Sequence, residues 1–109
     1  MDELTGIERG SLIHIVTLRC KDTDHARQCL ELLEQFGKPD ALHYRCLSYE
    51  FGLREGTTDT VCIVERWQHW QDLDALLQYK VTPALLMYNR LLSRPFDLET
   101  DTVRIRLVE

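Results

Sequence analysis

Apolar and polar residues alternate along this chain with two different periods, and the points where the period changes mark its elements. "SLIHIVTLRC" (Ser11 to Cys20) is rich in branched residues and reads as a strand. Its two faces are Leu12/His14/Val16/Leu18 and Ile13/Ile15/Thr17/Arg19. In "KDTDHARQCLELLEQFGKPD", Ala26, Cys29, Leu30, Leu33 and Phe36 recur at three- and four-residue steps, the stripe of one helix. Asp22 or Thr23 is placed to cap it, and Gly37 and Pro39 to stop it. "ALHYRCLSYEF" (Ala41 to Phe51) reads as a second strand, "GLREGTTD" as a turn and "TVCIVERW" as a third strand.

In "WQDLDALLQYK", Leu73, Leu76 and Leu77 return to helical register. Thr82-Pro83 then reads as an N-cap with proline at the first position, opening a further helix with Met87, Tyr88 and Leu91 on one face. "DTVRIRLVE" alternates Val103, Ile105 and Leu107 with Arg104 and Arg106, as a half-buried strand does. The order is β-α-β-β-α-β with the second helical segment broken near Thr82. That order predicts an α+β, ferredoxin-like fold: a four-stranded antiparallel sheet with helices on one face.

A sheet covered on one side only should be polar on the other. Strand three is instead apolar on both faces, Val61/Ile63 and Cys62/Val64, and strand one nearly so. Something must cover the second face, and in so short a chain a second copy is the natural cover. A homodimer packed through the sheet face is therefore expected.

Composition narrows the class. With 109 residues, 44% hydrophobic and 28% charged, the chain reads as one globular domain over residues 11–109 behind an N-terminal extension, residues 1–10. That extension, "MDELTGIERG", is acidic and polar, unlike a signal or transit peptide. A net charge of -5 with scattered Arg and Lys speaks against nucleic acid as a partner, and no apolar run approaches a membrane span. Cys20, Cys29, Cys46 and Cys62 are widely spaced on strand or helix faces, which predicts reduced thiols in a cytoplasmic protein. His14, His25, His43 and His69 show no ligand spacing with them, so no metal is expected.

Strand one, the helix after it, "PDALHY" and "TVCIVERWQHWQDLDALL" together resemble the antibiotic biosynthesis monooxygenase (ABM) family, whose members are dimeric α+β barrels of about this length. The resemblance covers roughly residues 11–95 and rests most on Glu65-x-Trp67 followed by a polar step and a helix, with Tyr44 fitting the second-strand pattern. The sequence departs from the pattern at Asp40, where the family often has Gly, and at Leu76, where many members have His. The Asn of haem-degrading relatives is absent from strand one and no helix histidine follows Trp67, which argues against haem degradation. The resemblance implies a monooxygenase acting on a quinol or polycyclic phenol. No nucleotide loop, nucleophile elbow or metal box is present, so such an activity would be cofactor-independent. The alternative is a non-catalytic dimeric module of the same fold that binds a small molecule or regulates.

The candidate residues each carry two readings. Glu65 and Trp67 leave the same strand face. Glu65 is a base or the ion-pair partner of Arg104 or Arg106, and Trp67 is a wall of a substrate pocket or a corner-filling core aromatic. His14, on an apolar strand face, is a proton acceptor for a phenol or a satisfied core or interface histidine. Tyr44, Tyr79 and Tyr88 are candidate substrate contacts, the last two on the helix side of a cavity or simply core. His43 reads as solvated or interfacial, and His69 with Trp70 as a staple at the strand-helix junction.

Overall fold

The computed structural model describes residues 11–108; the proposed extension over residues 1–10 lies outside them. Its strands are β1 (Leu12–Arg19), β2 (Ser48–Leu53), β3 (Thr60–Trp67) and β4 (Thr102–Arg106). All pairings are antiparallel in the order β2-β3-β1-β4. Helices fill the two connections: α1 (Thr23–Leu32) and α2 (Lys38–His43) between β1 and β2, α3 (Trp70–Leu76) and α4 (Thr82–Asn89) between β3 and β4. This is the expected ferredoxin-like α+β fold.

Register decides which side chains meet the helices. Leu12 pairs with Trp67, His14 with Glu65, Val16 with Ile63 and Leu18 with Val61. All eight are buried, and the apolar members form one core with Cys29 and Leu33 of the first connection and Leu73 and Leu76 of the second. Asp101 sets the way into β4: its carboxylate accepts both guanidinium branches of Arg94, at 3.2 and 2.7 Å, and the Asp97 N–H at 2.9 Å.

The opposite face of the sheet carries the alternate residues. Ile15 and Cys62 are half-buried, while Val64, Val103 and Ile105 are exposed by 39%, 54% and 36%. In a single copy β4 is therefore not the half-buried strand its alternation predicted. The apolar residues of that alternation lie on the open face, and Arg104 lies on the helix side.

The helices differ from expectation in one consistent way. Neither connection breaks. Gly37 and Pro39 do not end the first helix; a π-helical turn, Leu33–Gly37, carries it directly into α2. Likewise Thr82 is not an N-cap: it is helical, it makes no side-chain cap, and the π turn Leu77–Val81 runs into α4. Proline explains both. Pro39 and Pro83 lack the N–H that an α-helix would offer to the carbonyls of Gln35 and Tyr79, and their rings crowd those carbonyls. Each such carbonyl lies inside a π turn, whose wider ladder removes the conflict. The π-type bonds are Lys38 N–H to Leu33 O and Thr82 N–H to Leu77 O.

Because the first helix continues, Ala41 to His43 are helical and the second strand begins only at Ser48. Cys46, placed on that strand by its sequence, sits in the turn before it. The helix ends in a Schellman motif: Cys46 N–H donates to Ala41 O, Arg45 N–H to Leu42 O, and Arg45 takes the left-handed position at φ 75°. Glycine is the usual residue there, which is why Gly37 looked like the stop and Arg45 did not. All four cysteines are free thiols, and burial pushes those of Cys29 and Cys46 up to about 12.

A prediction follows from the left-handed arginine. Arg45→Gly removes the Cβ penalty and gives up only an exposed 3.5 Å contact with Asp72. It should raise unfolding free energy by about 0.5–1 kcal/mol in urea titrations. A loss of stability would show that the motif does not close this helix.

Candidate functional site

One row of cross-strand partners carries the polar chemistry of the helix-covered face. Tyr49 of β2 pairs with Glu65 of β3, Glu65 with His14 of β1, and His14 with Arg104 of β4. Each side chain points to the helices because each stands at the same phase of its strand's two-residue alternation. Around the row the face of β1, β2 and β3 is aliphatic or aromatic, while β4 adds Thr102 and Arg106.

Glu65 is the centre of the row. His14 Nδ1 and Trp67 Nε1 both lie 2.9 Å from the same oxygen, Oε1. His14, Glu65 and Trp67 are 2%, 4% and 0% exposed, so the carboxylate has left water and these two donors replace it. Indole N–H can only donate. With the carboxylate accepting, the imidazole proton is fixed on Nδ1 and the lone pair on Nε2. The ion-pair alternative for Glu65 is corrected here: Arg104 bonds Asp74 at 2.7 Å and lies over the Trp70 ring at 4.9 Å, and Arg106 stands opposite Leu12, one row further on. Trp70 therefore pins β4 to α3, a junction role like the one expected of it, while His69 is exposed at the N-terminus of α3.

Above the row lies a cavity of about 100 Å³ between sheet and helices. Its floor includes His14, Glu65 and Tyr49, its walls are mostly Leu, Val and Ile, and its solvent-reaching residues Phe36, Lys80 and Met87 place the mouth between the two helical connections. Several polar atoms of the lining, among them His14 Nε2, Glu65 Oε2, Tyr49 Oη and Tyr88 Oη, have no protein partner among the described residues, yet none is sealed within packed protein. They are left to the cavity. Drug-sized ligands occupy roughly 300–1,000 Å³, whereas an engineered apolar cavity of about 150 Å³ takes benzene. This space is smaller than either, so a ring would fill it and anything larger would require its walls to move.

The sequence candidates therefore separate. His14, Glu65 and Tyr88 line the cavity; Trp67, Tyr44 and Tyr79 do not. Trp67 is a core residue that acts through Glu65. Tyr44 caps α2, half-buried, with its ring edge-on to exposed His43, and Tyr79 is 60% exposed. Tyr88 is pushed up to about 12 by burial and by the charges of Cys29 and Asp40, so it remains a neutral phenol. Tyr49 was not singled out in the sequence. Its signal was the alternation Tyr49/Phe51, and only the pairing with Glu65 turns that into a site position. Among the described residues no group of three or more His, Cys, Asp or Glu gathers to hold a metal, and no helix is long and apolar enough to cross a membrane.

Comparison with known proteins bears on the fold. No protein family matches the sequence, and no curated protein does. Solved structures do match. A monooxygenase from the ActVA-Orf6 gene of Streptomyces coelicolor, in complex with nanaomycin D, is 15% identical with a TM-score of 0.72, covering 93% of this chain and 90% of its own. A candidate antibiotic biosynthesis monooxygenase from Deinococcus radiodurans is 20% identical with a TM-score of 0.68, covering 90% and 93%. A Pseudomonas aeruginosa protein is 16% identical with a TM-score of 0.70, covering 90% and 94%. The chain has the fold of the antibiotic biosynthesis monooxygenases.

The shared oxygen makes a prediction. Trp67→Phe loses a donor and leaves a void, and should cost about 2–4 kcal/mol. Glu65→Gln should cost about 1–3 kcal/mol. Because both act on one bond, the double variant should fall short of the sum by about 0.5–3 kcal/mol in urea unfolding. Strict additivity would mean that the two side chains do not share that contact.

Proposed function

We propose that this protein is a cofactor-independent monooxygenase of a small quinol or phenol, working as a homodimer. The observation that carries the reading is the His14–Glu65 pair at the floor of an apolar cavity, with His14 Nε2 free of protein partners. Glu65 holds the imidazole in the tautomer that accepts a proton at Nε2, and Trp67 holds Glu65. His14 then takes the hydroxyl proton of a bound ring, and Glu65 stabilises the imidazolium as it forms. The apolar walls leave the substrate anion without water, where its electrons are most available to dioxygen. For a quinol the atoms balance with no other reductant. One oxygen enters the ring, the other leaves as water, and the product is a hydroxyquinone. The ABM-like fold supports the reading, since structures of that fold include a named monooxygenase.

The test is oxygen consumption with a panel of one-ring quinols and phenols. Wild-type protein should consume oxygen, and His14→Gln should reduce turnover by about 10²–10⁴-fold, the usual contribution of a general base. Its melting temperature should change little relative to that loss. Ring binding without oxygen uptake would favour the non-catalytic module, and no binding of any ring would retire both readings.

The homodimer rests on the open sheet face. Val64, Val103 and Ile105 are exposed beside Ile15 and Cys62, on the face that no helix among the described residues covers. A second copy packed there buries on the order of 1,200–2,000 Å² in total. Sedimentation at micromolar concentration should give twice the chain mass. Val103→Lys, placing a charge in that interface, should shift the protein toward monomer. A wild-type monomer under the same conditions would overturn the assembly.

A further inference from the structure

Within the polar row Arg104 is engaged by Asp74 and Trp70, which leaves Tyr49 as the member whose presence neither the base nor a partner explains. Its side chain crosses the whole layer between sheet and helices. It leaves β2 beside Glu65, and its Oη ends 2.8 Å from where a Cβ on Gly37 would stand, so only glycine fits above it. The residue is 5% exposed, and its hydroxyl has no partner among the described residues. The hydroxyl borders the cavity rather than packed protein, so the fold gains no hydrogen bond from it that Phe would lose. Burial, then the nearby Glu65 charge, then Tyr88 push its ionisation far upward, so the group stands there only as a neutral O–H.

The cavity thus has two polar poles. His14 Nε2 and Glu65 lie at the sheet floor, and Tyr49 Oη lies under the π turn at the helix ceiling, with mostly apolar walls between that also carry the Tyr88 hydroxyl, Asp40 and, at the mouth, Lys80. We propose that Tyr49 touches the substrate, donating a hydrogen bond to a second oxygen at the far end of a ring whose first hydroxyl faces His14. The preferred ligand is then a ring with oxygens at opposite ends, a para-quinol, and Gly37 is the residue that makes room for the donor. When His14 removes the first proton, charge spreads through the ring to the second oxygen, and the Tyr49 O–H is already aimed at it. This assignment rests on the cavity being the substrate site.

The test compares hydroquinone with phenol, which has one oxygen and can satisfy one pole. Calorimetry under anaerobic conditions gives affinities without turnover. Wild-type protein should bind hydroquinone more tightly than phenol by about 3- to 10-fold, the worth of one neutral hydrogen bond. Tyr49→Phe should erase that increment, so that hydroquinone binds no more tightly than phenol. The same variant should unfold at an equal or higher temperature than wild type without ligand, because it removes a hydroxyl that has no protein partner. An increment that survives in Tyr49→Phe, or no increment in wild type, overturns the role of Tyr49 while leaving the cavity reading intact. If neither compound binds wild type, the cavity reading fails and the role of Tyr49 fails with it. A loss of stability in Tyr49→Phe without ligand would show that the hydroxyl serves the fold instead.

Discussion

A single carboxylate oxygen, buried in the helix face of a sheet, sets the terms for the residues around it. Glu65 Oε1 takes both of its hydrogen bonds from side chains, one from His14 across the strand pair and one from Trp67 two residues along. A carboxylate that has lost its water must be met by donors, and removing one leaves an uncompensated acceptor. The requirement reaches beyond the site. It fixes the β1–β3 register, because a one-residue slip would send His14 to the open face and turn Glu65 onto an aliphatic neighbour. The aliphatic pairs Val16–Ile63 and Leu18–Val61 point to the same register through packing, so polar and apolar demands agree.

The helices answer a different constraint. Prolines at positions 39 and 83 deprive each helical connection of a backbone donor one turn back, and each responds with a π turn. Both turns lie over the cavity. Leu33, Phe36 and Gly37 from one, and Leu77, Lys80 and Val81 from the other, belong to its lining. A π turn widens the helix and rotates the residues after it, so the side chains that would close the space under a regular helix are displaced. The cavity is thus tied to the proline positions more directly than to any polar residue.

Much of this was legible in the sequence, for identifiable reasons. The strands β1, β3 and β4 have strong two-residue patterns, and the antiparallel order followed from them. Glu65 and Trp67 could be placed on one face from spacing alone. The end of the first helix could not. Gly37 has ordinary helical angles, φ -59° and ψ -53°, and its lack of a side chain serves Tyr49 rather than a turn. The true stop is an arginine in a left-handed conformation, which no residue preference announces. Tyr49 was missed for a related reason: its significance lies in a pairing between strands, and a single strand's pattern does not carry that information. Trp67 was placed on the correct face, and of its two readings the corner-filling core aromatic is the one that fits: the indole is fully buried and its N–H points back at the carboxylate.

The chemistry and the size of the site therefore come from different layers of the fold. The polar groups of the cavity floor, Tyr49, Glu65 and His14, stand in one row across three adjacent strands, where backbone pairing holds them at fixed spacing whatever lies above. The space above that row is set by side chains from two interrupted helices, which can be exchanged without disturbing the row. The solved structures at 15–20% identity share this frame. On the proposed reading, ring size is a matter for Leu77, Val81 or Phe36, and proton transfer is a matter for His14 or Glu65. Tyr49 alone belongs to both layers. It is anchored in the sheet row, yet its hydroxyl works at the helix ceiling, so it ties the height of the cavity to the polarity of what the cavity holds.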